Sequence, residues 1–299
     1  MSIRRFKTFL AIAELGTFSE AAKAEYLTPS AVSQQMRALE DELRVSLFDR
    51  TKRPPELNPT GYAIVPKVRE LVRVYESIKP SLSDELAAVQ NLTVGTVATS
   101  MSGLMPKALK RLQESNDRLH VRLYPALSDD LYAQVDRGFL DAAVITEPMT
   151  VYDHLVWRPF TEEPYVVLAN AQVDSDNARE ILETFPFIRF ARKAWVGRTV
   201  DQWLVEQGIR VNESMELDTL EAVSAMVRNN LGVSILPNPC VGIPEHESLK
   251  TIDLGADAPA RVLGVLYRRD SSLQTLIDLL WRELYSVVER AGITRPLQS

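Results

Sequence analysis

Two helical patterns meet at a tight corner within residues 18–43, which read FSEAAKAEYLTPSAVSQQMRALEDEL. Thr28 is a good N-cap, because its hydroxyl can accept a hydrogen bond from a backbone N–H that the first helical turn leaves unpaired. Pro29 suits the first helical position, where the N–H that proline lacks would have no partner anyway. The helix that begins there is predicted to run to about Leu43. Two helices joined by so short a connection predict a helix-turn-helix.

Two helices precede the corner. Apolar residues at helical spacing predict an amphipathic helix over residues 3–15, rather than a signal peptide. Gly16 suits the C-terminal cap of this helix. Ser19 is the expected N-cap of the second helix, and Glu20 lies in its first turn, where the helix dipole favours a negative charge. The N-terminal region is therefore predicted to contain three helices.

The helix that begins at Pro29 has two distinct faces. One face carries apolar residues at core spacing, namely Val32, Met36, Leu39 and Leu43. The opposite face carries hydrogen-bonding residues, namely Ser30, Ser33, Gln34 and Arg37. Side chains of this kind suit contacts with base edges and phosphates in a major groove. The alternative is a surface helix with ordinary polar residues.

A basic, proline-containing loop follows in residues 46–61, which read SLFDRTKRPPELNPTG. It contains Arg50, Lys52 and Arg53, followed by two prolines. Rigid basic loops of this kind follow backbone phosphates or reach into a minor groove. The loop therefore favours the interpretation of the preceding helix as a DNA reader.

These motifs resemble the winged helix-turn-helix of LysR-type transcriptional regulators. The resemblance rests on the two alanines of the second helix, on SAVSQQMRALE, on LFDR at the wing and on LNPTG after it. It implies DNA contacts from Thr28, Ser30, Ser33, Gln34, Arg37, Arg50 and Arg53. Lys52 of the basic loop and Asn58 at its end are added as further expected DNA contacts. The chain departs from the family pattern at Glu25, at Asn58 and at Arg44. At Arg44 the family usually has Gly, which avoids the strain of a left-handed backbone.

Asn58 and Pro59 predict the cap and the first residue of a further helix. Two apolar series recur there every seven residues, as in the seam of a two-helix coiled coil. They are Ile64, Leu71 and Ile78, and Val68, Tyr75, Leu82 and Val89. The resemblance implies a dimerisation linker, and the alternative is a single helix packed on its own domain. A bend is expected near Pro80.

From residue 91 onward, strand and helix patterns alternate. The predicted strands are LTVGTVATS, HVRLYPA, DAAVIT, PYVVLAN, FPFIRF, VNESMEL, GVSILP and RVLGVLYRRD, and a helix is predicted over residues 273–291. Other helices are predicted over LMPKALKRLQES, DDLYAQVDRG, residues 177–184, residues 198–207 and TLEAVSAMVRNN. Strands that alternate with helices predict parallel sheets.

The resemblance implies that this region consists of two α/β halves joined by crossover strands near residues 161–165 and 261–267. The expected fold class is an N-terminal all-α winged helix-turn-helix with a linker helix, and a C-terminal α/β two-subdomain effector domain similar to periplasmic binding proteins. The expected domains are residues 1–58, 59–90 and 91–299. The last comprises subdomain I (about 91–162 and 267–299) and subdomain II (about 163–266).

Ligands of open α/β sheets bind beyond the carboxyl ends of the strands. Together with the resemblance, this rule predicts an effector site formed by Thr99, Ser100, Met101, Ser102, Ser128, Thr146, Arg198 and Thr199. Backbone N–H groups at a helix start would favour a small anion there. Ser100 and Thr146 are expected to face each other's half across the cleft. The alternative is that Ser102 and Ser128 only cap helices.

The sequence contains no pattern for catalysis, a metal or a cofactor. Its histidines lack metal-ligand spacing, and it has neither a nucleophile motif nor a phosphate-binding glycine loop. The single cysteine, Cys240, excludes an internal disulfide. No apolar run approaches the length of a membrane helix. The net charge of −6 is carried by the region after residue 90, and the N-terminal region is nearly neutral.

The expected function is therefore sequence-specific DNA binding and transcriptional regulation, modulated by a small, anionic effector in the cleft. A ligand-independent DNA-organising protein and an enzyme that uses the cleft are the alternatives. The expected partners are double-stranded DNA with a palindromic operator, a second copy in a homodimer or homotetramer, and RNA polymerase. The expected location is the cytoplasm, with no membrane contact.

Overall fold

The structure is a computed structural model that describes residues 2–81, 90–238, 249–292 and 295–296. The chain divides into two compact units. The first contains residues 1–91 and 133–141, and the second contains residues 92–132 and 142–299. Cys240 lies outside the described residues.

Three helices open the first unit: α1 (Ile3–Leu15), α2 (Phe18–Ala24) and α3 (Pro29–Leu43). The predicted bounds of α1 and α3 are confirmed. Gly16 ends α1 in a left-handed conformation with φ of 78°. The Thr28 hydroxyl caps α3 by accepting a hydrogen bond of 3.2 Å from the backbone N–H of Ala31.

The predicted N-cap of α2 is wrong. Thr17, and not Ser19, caps this helix, because its hydroxyl accepts a hydrogen bond of 3.2 Å from the backbone N–H of Glu20. Ser19 lies inside the first turn. Both residues are good caps by composition, and the start of the helix at Phe18 decides between them.

The predicted core stripe of α3 ends one turn early. Val32, Met36 and Leu39 are fully buried, but Leu43 is 36% exposed. The helix ends directly after Leu43, at Arg44, whose φ of 54° is left-handed. The last turn therefore extends past the core formed with α1.

A two-stranded wing follows α3. Its strands are β1 (Phe48–Asp49) and β2 (Glu56–Leu57), which pair antiparallel. Helix α4 (Pro59–Ser81) begins directly after, where the side-chain oxygen of Asn58 accepts a hydrogen bond of 2.8 Å from the N–H of Gly61. The predicted cap at Asn58 is confirmed.

The apolar stripe of α4 packs on the first unit's own core. Val65, Val68 and Val72 are buried there, whereas Val74 and Tyr75 are 54% and 44% exposed. Part of the predicted heptad seam therefore belongs to the packing of a single domain. Leu82 and Val89 of the seam lie outside the described residues. The predicted bend near Pro80 falls at the end of the described range, which stops at residue 81.

The second unit is built from strands and helices in the predicted alternation. The strands are β3 (Gln90–Thr96), β4 (Leu119–Pro125), β5 (Ala142–Thr146), β6 (Leu155–Asn170), β7 (Pro186–Phe190), β8 (Asn212–Leu217), β9 (Ser234–Pro237), β10 (Leu249–Asp253), β11 (Ala260–Arg268) and β12 (Arg295–Pro296). The helices are α5 (Ala98–Met101), α6 (Leu104–Ser115), α7 (Ser128–Asp136), α8 (Ala178–Thr184), α9 (Trp195–Glu206), α10 (Leu220–Arg228) and α11 (Gln274–Ala291).

The sheets are mixed rather than parallel throughout. β3 and β5 pair parallel, as do β7 and β8, which agrees with the prediction. However, β6 and β11 run antiparallel to their neighbours and form the centre of a sheet with the order β10-β6-β11-β5-β3-β4. Strand β10 was not predicted. The final helix α11 packs on α6 and β6, as expected.

Strands β6 and β11 contain the two predicted crossovers. β5 pairs with the C-terminal half of β11, and β9 and β10 pair with the C-terminal half of β6. The two strands therefore connect two α/β halves. Their pairing is close at Gly264, where an added Cβ would lie 2.5 Å from the indole of Trp157.

The left-handed backbone at Arg44 predicts a stabilising substitution. Such a conformation strains a residue that carries a Cβ, and glycine removes the strain. We expect Arg44→Gly to raise the free energy of unfolding by about 0.4–1 kcal/mol, after the entropy that glycine adds to the unfolded chain is subtracted. Urea denaturation measures this change.

Gly16→Ala is the matched control for Arg44→Gly. Gly16 is also left-handed, and an added Cβ would meet nothing within 4 Å. This substitution therefore introduces backbone strain without a clash, and it should destabilise the chain by about 1 kcal/mol. If both substitutions stabilise the chain, or if both destabilise it, the assignment of strain to these helix ends is wrong.

Candidate nucleic-acid interface and ligand cleft

The polar face of α3 is open to solvent. Thr28, Ser30, Gln34 and Arg37 are exposed, and Ser33 is partly exposed. The Thr28 and Ser30 hydroxyls lie 3.0 Å apart. In the part of the chain that the structure describes, the side chains of Gln34 and Arg37 form no hydrogen bond or ion pair. Gln34 and Arg37 therefore present donors and an acceptor that the fold does not use, whereas the Thr28 and Ser30 hydroxyls already have contacts within the chain.

Arg50 is tied to α3 by an ion pair. Its guanidinium lies 2.7 Å from the second carboxylate oxygen of Glu40. The first oxygen of Glu40 accepts hydrogen bonds from the backbone N–H groups of Leu47 and Phe48, at 2.8 and 3.2 Å. Glu40 therefore joins the recognition helix to the first strand of the wing, and part of the charge of Arg50 is neutralised within the fold.

The protonation of Glu40 reflects these bonds. Burial by itself would raise the pKa of Glu40, but hydrogen bonds from Arg50 and from the N–H groups of Leu47 and Phe48 outweigh it. The pKa of Glu40 is consequently lowered. The carboxylate form is the one that the folded chain stabilises.

The other basic residues of the wing differ in their partners. Lys52 pairs with Glu56 at 2.6 Å, and this carboxylate raises the pKa of Lys52. The Arg53 guanidinium has no ion pair among the described residues. Asn58 uses its amide internally, since it donates to the carbonyl of Ser46 at 2.8 Å and caps α4. Arg53 is thus the wing cation with the charge most available to a phosphate.

Glu40 should be a main determinant of wing stability. Glu40→Ala leaves two backbone N–H groups without their acceptor, so we expect a loss of about 1–3 kcal/mol in the free energy of unfolding. Arg50→Ala removes only a half-exposed ion pair, with an expected loss of about 0.2–1 kcal/mol. Chemical denaturation of both variants at neutral pH measures the difference.

The pH dependence of Glu40→Gln provides a second measurement. Because folding lowers the pKa of Glu40, the charged form contributes stability above its ordinary pKa of 4.5. This contribution disappears as the pH falls through the lowered pKa. The wild type and Glu40→Gln should therefore differ at neutral pH and converge in acid. A difference that stays constant with pH would contradict the role of the charge.

The expected effector residues of the first half surround the carboxyl ends of β3 and β5. Thr99, Ser100 and Met101 lie in the short helix α5 after β3. Ser100 is 3% exposed, and its hydroxyl has no hydrogen-bond partner among the described residues. The Ser128 hydroxyl accepts a hydrogen bond of 3.3 Å from the N–H of Thr146. Five of the expected residues therefore lie at the carboxyl ends of these two neighbouring strands.

The expectation that Ser100 and Thr146 lie on opposite halves is wrong. Ser100 follows β3 and Thr146 ends β5, and these strands are parallel neighbours in the same half. The chain order of the strands does not show this, because β4 comes between them in sequence and lies on the other side of β3.

A buried ion pair lies where the strands β6 and β11 join the halves. The Arg261 guanidinium contacts one carboxylate oxygen of Glu163 at 2.6 and 2.7 Å, and both side chains are almost fully buried. Arg261 also donates to the Thr99 hydroxyl at 2.9 Å. Glu163 neutralises Arg261 beside Thr99, and no local sequence pattern marks either residue of this pair.

Three side-chain contacts join the two halves. The Asp129 carboxylate accepts hydrogen bonds from the indole N–H of Trp195 at 2.6 Å and from Arg198 at 3.1 Å. The Ser102 hydroxyl contacts the carboxylate of Glu221. Arg198 is therefore paired within the chain. The sequence marks Asp129 only as one of two acidic residues in the first turn of α7, and this pattern does not indicate its contacts with the other half.

Helix α9 begins earlier than predicted. It starts at Trp195, so Arg198 and Thr199 lie in a helix rather than in the preceding loop. Thr199 forms a hydrogen bond with Tyr165, whose pKa is raised mainly by burial.

Ser102 does not cap α6, because the capping position is Gly103 and no side chain supplies the cap. Arg192 is engaged with Glu213, Asp201 and Glu216.

The clasp formed by Asp129, Trp195 and Arg198 should hold the edge of the cleft closed. Asp129→Ala removes the acceptor of both bonds, so we expect faster amide hydrogen exchange in the first turn of α9. Asp130→Ala is the matched control, because Asp130 is the adjacent exposed carboxylate of the same turn. Equal exchange in the two variants would contradict the clasp.

Comparison with known proteins identifies the family. Residues 3–62 match the family described as "Bacterial regulatory helix-turn-helix protein, lysR family", and residues 88–288 match "LysR substrate binding domain". The chain belongs to the LysR family of transcriptional regulators, with a DNA-binding helix-turn-helix and a ligand-binding domain that modulates regulation.

Individual relatives are distant but cover the whole length. The transcriptional regulator IlvR of Caulobacter vibrioides is 26% identical over 288 residues, which cover 94% of this chain and 96% of that protein. A full-length OxyR variant from Pseudomonas aeruginosa has a similar fold, with a TM-score of 0.72, 21% identity and coverage of 100% and 98%. Full-length CbnR complexed with its target DNA matches with a TM-score of 0.60, 18% identity and coverage of 98% and 100%.

The described residues contain neither a membrane-spanning helix nor a metal-binding cluster. None of their helices is long and apolar enough to cross a membrane. They contain no group of His, Cys, Asp or Glu side chains that could hold a metal ion.

Proposed function

We propose that the chain reads a palindromic operator as a homodimer, through α3 in the major groove and the wing beside it. The observation that carries this proposal is the exposed face of α3, where Gln34 and Arg37 form no hydrogen bond or ion pair with the described residues. Glutamine can pair with adenine through two hydrogen bonds, and arginine can pair with guanine or a phosphate. Thr28, Ser30 and Ser33 supply hydroxyls on the same side.

The proposed role of each wing residue depends on whether a glutamate of the chain already pairs with it. Arg53 contacts a phosphate or enters the minor groove, since no ion pair with the described residues holds its charge. Arg50 and Lys52 contribute to the same basic surface, but each shares its charge with a glutamate. Asn58 acts mainly by fixing the start of α4 against the wing.

Gln34→Ala and Arg53→Ala should separate base reading from phosphate binding. Gln34→Ala should lose about 1–3 kcal/mol of discrimination at one base pair in each half-site. Arg53→Ala should weaken binding to every sequence and reduce the salt dependence by about one counterion per contact. Binding to a randomised operator set, measured at several salt concentrations, distinguishes the two effects.

Two results would contradict these roles. If Gln34→Ala keeps the base preference of the wild type at every position, α3 does not read bases through this residue. If Arg53→Ala leaves the salt slope unchanged, the wing cation does not contact phosphate.

We also propose that the regulatory ligand lies at the carboxyl ends of β3 and β5. Its contacts are Thr99, Ser100, Met101, Ser102, Ser128 and Thr146 of the first half, and Arg198 and Thr199 of the second. The hydroxyl of Ser100 supports the proposal, because a buried polar group without a partner among the described residues is unfavourable until a ligand supplies one. Arg198 can receive an anionic ligand only if the ligand displaces Asp129.

Ser100→Ala should reduce the response to the effector while operator binding stays intact. Removal of the unpaired hydroxyl should also leave the folded chain as stable as the wild type, or slightly more stable. A reporter under the promoter beside its own gene, exposed to candidate metabolites, measures the response. An unchanged dose–response curve would remove Ser100 from the ligand site.

Assembly follows from the same arrangement. A second copy paired along α4 would present two recognition helices to successive major-groove faces, which is the geometry that a palindrome requires. The exposed Val74 and Tyr75 support an interface on this helix. Pairs of such dimers would give a homotetramer, and bound dimers would contact RNA polymerase at the promoter.

A further inference from the structure

Tyr26 is a large aromatic residue that the fold leaves in solvent. It lies in the corner between α2 and α3, and 96% of its surface is exposed. Among the described residues, its side chain has no hydrogen bond, ring contact or cation above the ring. Burial and internal contacts therefore do not account for a tyrosine at this position.

The backbone conformation at Tyr26 suits glycine or asparagine better than tyrosine. Its φ is 54°, in the left-handed region. The N–H of Leu27 donates to the carbonyl of Ala22 at 2.8 Å, and the N–H of Tyr26 donates to the carbonyl of Lys23 at 3.3 Å. Bonds of this kind close the C-terminal end of a helix, where glycine or asparagine is the usual left-handed residue. Tyrosine is strained here and contributes no packing, so the stability of the corner would be higher with Asn.

Tyr26 lies beside the N-terminal end of α3, and the inference rests on the proposed function, which puts this end in the major groove. Only Leu27 separates it from Thr28, the cap of α3, so the Cα atoms of Tyr26 and Thr28 lie within about 7 Å. An α-helix is about 10–12 Å wide and the major groove about 12 Å, so residues that flank the inserted end lie close to phosphates.

We propose that Tyr26 contacts the DNA backbone at the edge of the operator half-site. Its hydroxyl donates a hydrogen bond to a phosphate oxygen, and its ring lies against the neighbouring sugar. Tyrosine is one of the side chains that bind phosphates in protein–DNA complexes, and such contacts fix the register of the protein without reading sequence. The strain at the corner is then offset when DNA is bound.

This contact differs in chemistry from the other proposed DNA contacts. Tyr26 is uncharged, so its bond to a phosphate releases no counterion and does not change the salt slope. It does not reach a base edge, so it does not change base preference. Gln34 would alter preference and Arg53 would alter the salt slope, which makes the three contributions separable.

The test uses the full chain and two labelled duplexes, one from the region upstream of its own gene and one with the same base composition in shuffled order. Tyr26→Phe removes only the hydroxyl. We expect binding of both duplexes to weaken by about threefold to tenfold, with the salt slope of the wild type. Tyr124→Phe is the control, since Tyr124 is exposed in the second unit, and it should bind both duplexes as the wild type does.

Tyr26→Asn is the second variant, and its effects on folding and on DNA binding should be opposite in sign. It relieves the left-handed strain, so the melting temperature should rise, while affinity for both duplexes falls at least as far as with Tyr26→Phe. The proposal is overturned if Tyr26→Phe binds both duplexes normally, or if it weakens only one of them. A lower melting temperature in Tyr26→Asn would also overturn it, because the side chain would then serve the fold.

Discussion

The antiparallel pairing of β6 with β11 is the constraint on which the ligand-binding unit depends. The two long strands pair with each other along the length of β11, while β11 also pairs with β5 of the first half and β6 also pairs with β9 and β10 of the second. The buried ion pair of Arg261 with Glu163 lies on this pairing. Its removal on one side would leave an uncompensated charge in the interior, which is far more costly than the pair itself is stabilising. Because Arg261 and Glu163 are directly opposite each other in the pairing, a shifted register would separate the two charges and is therefore disfavoured.

The same pair affects the charge at the proposed ligand site. A free arginine beside the carboxyl ends of β3 and β5 would make the cleft strongly attractive to anions. Glu163 neutralises Arg261, and Asp129 occupies Arg198, so both cations are matched by the chain's own carboxylates. In the proposed ligand site, selectivity would then depend on hydroxyls such as that of Ser100 and on whether a ligand competes with Asp129. This favours recognition by hydrogen bonds over recognition by net charge.

In the DNA-binding unit, Glu40 has the corresponding role. One carboxylate joins the recognition helix to two backbone N–H groups of the wing and to Arg50. The geometry between helix and wing is consequently fixed before DNA arrives, which reduces the entropy that binding must overcome. The structure thus divides similar basic residues into different tasks, since Arg50 positions the wing while Arg53 and Arg37 keep their charges available.

The sequence alone determined the features that depend on neighbours along the chain. The cap at Thr28, the cap at Asn58, the bounds of α1 and α3 and the alternation of strands and helices could all be predicted, because caps and amphipathic periods involve residues a few positions apart. The family motifs fall in the same local stretches. The candidate effector residues of the first half could be proposed because strand ends are also local signals, and their role in binding stays a prediction.

Only the tertiary structure decided which of these residues contact one another. Arg50 was predicted to contact DNA, and its pairing with Glu40 follows from the fold of the wing onto α3. The pairing of Asp129 with Trp195, and that of Glu163 with Arg261, join residues that are 66 and 98 positions apart. Sequence periodicity carries no information on such contacts, because they depend on strand order, on the crossing of the sheet between halves and on the burial of charges that pairing makes possible.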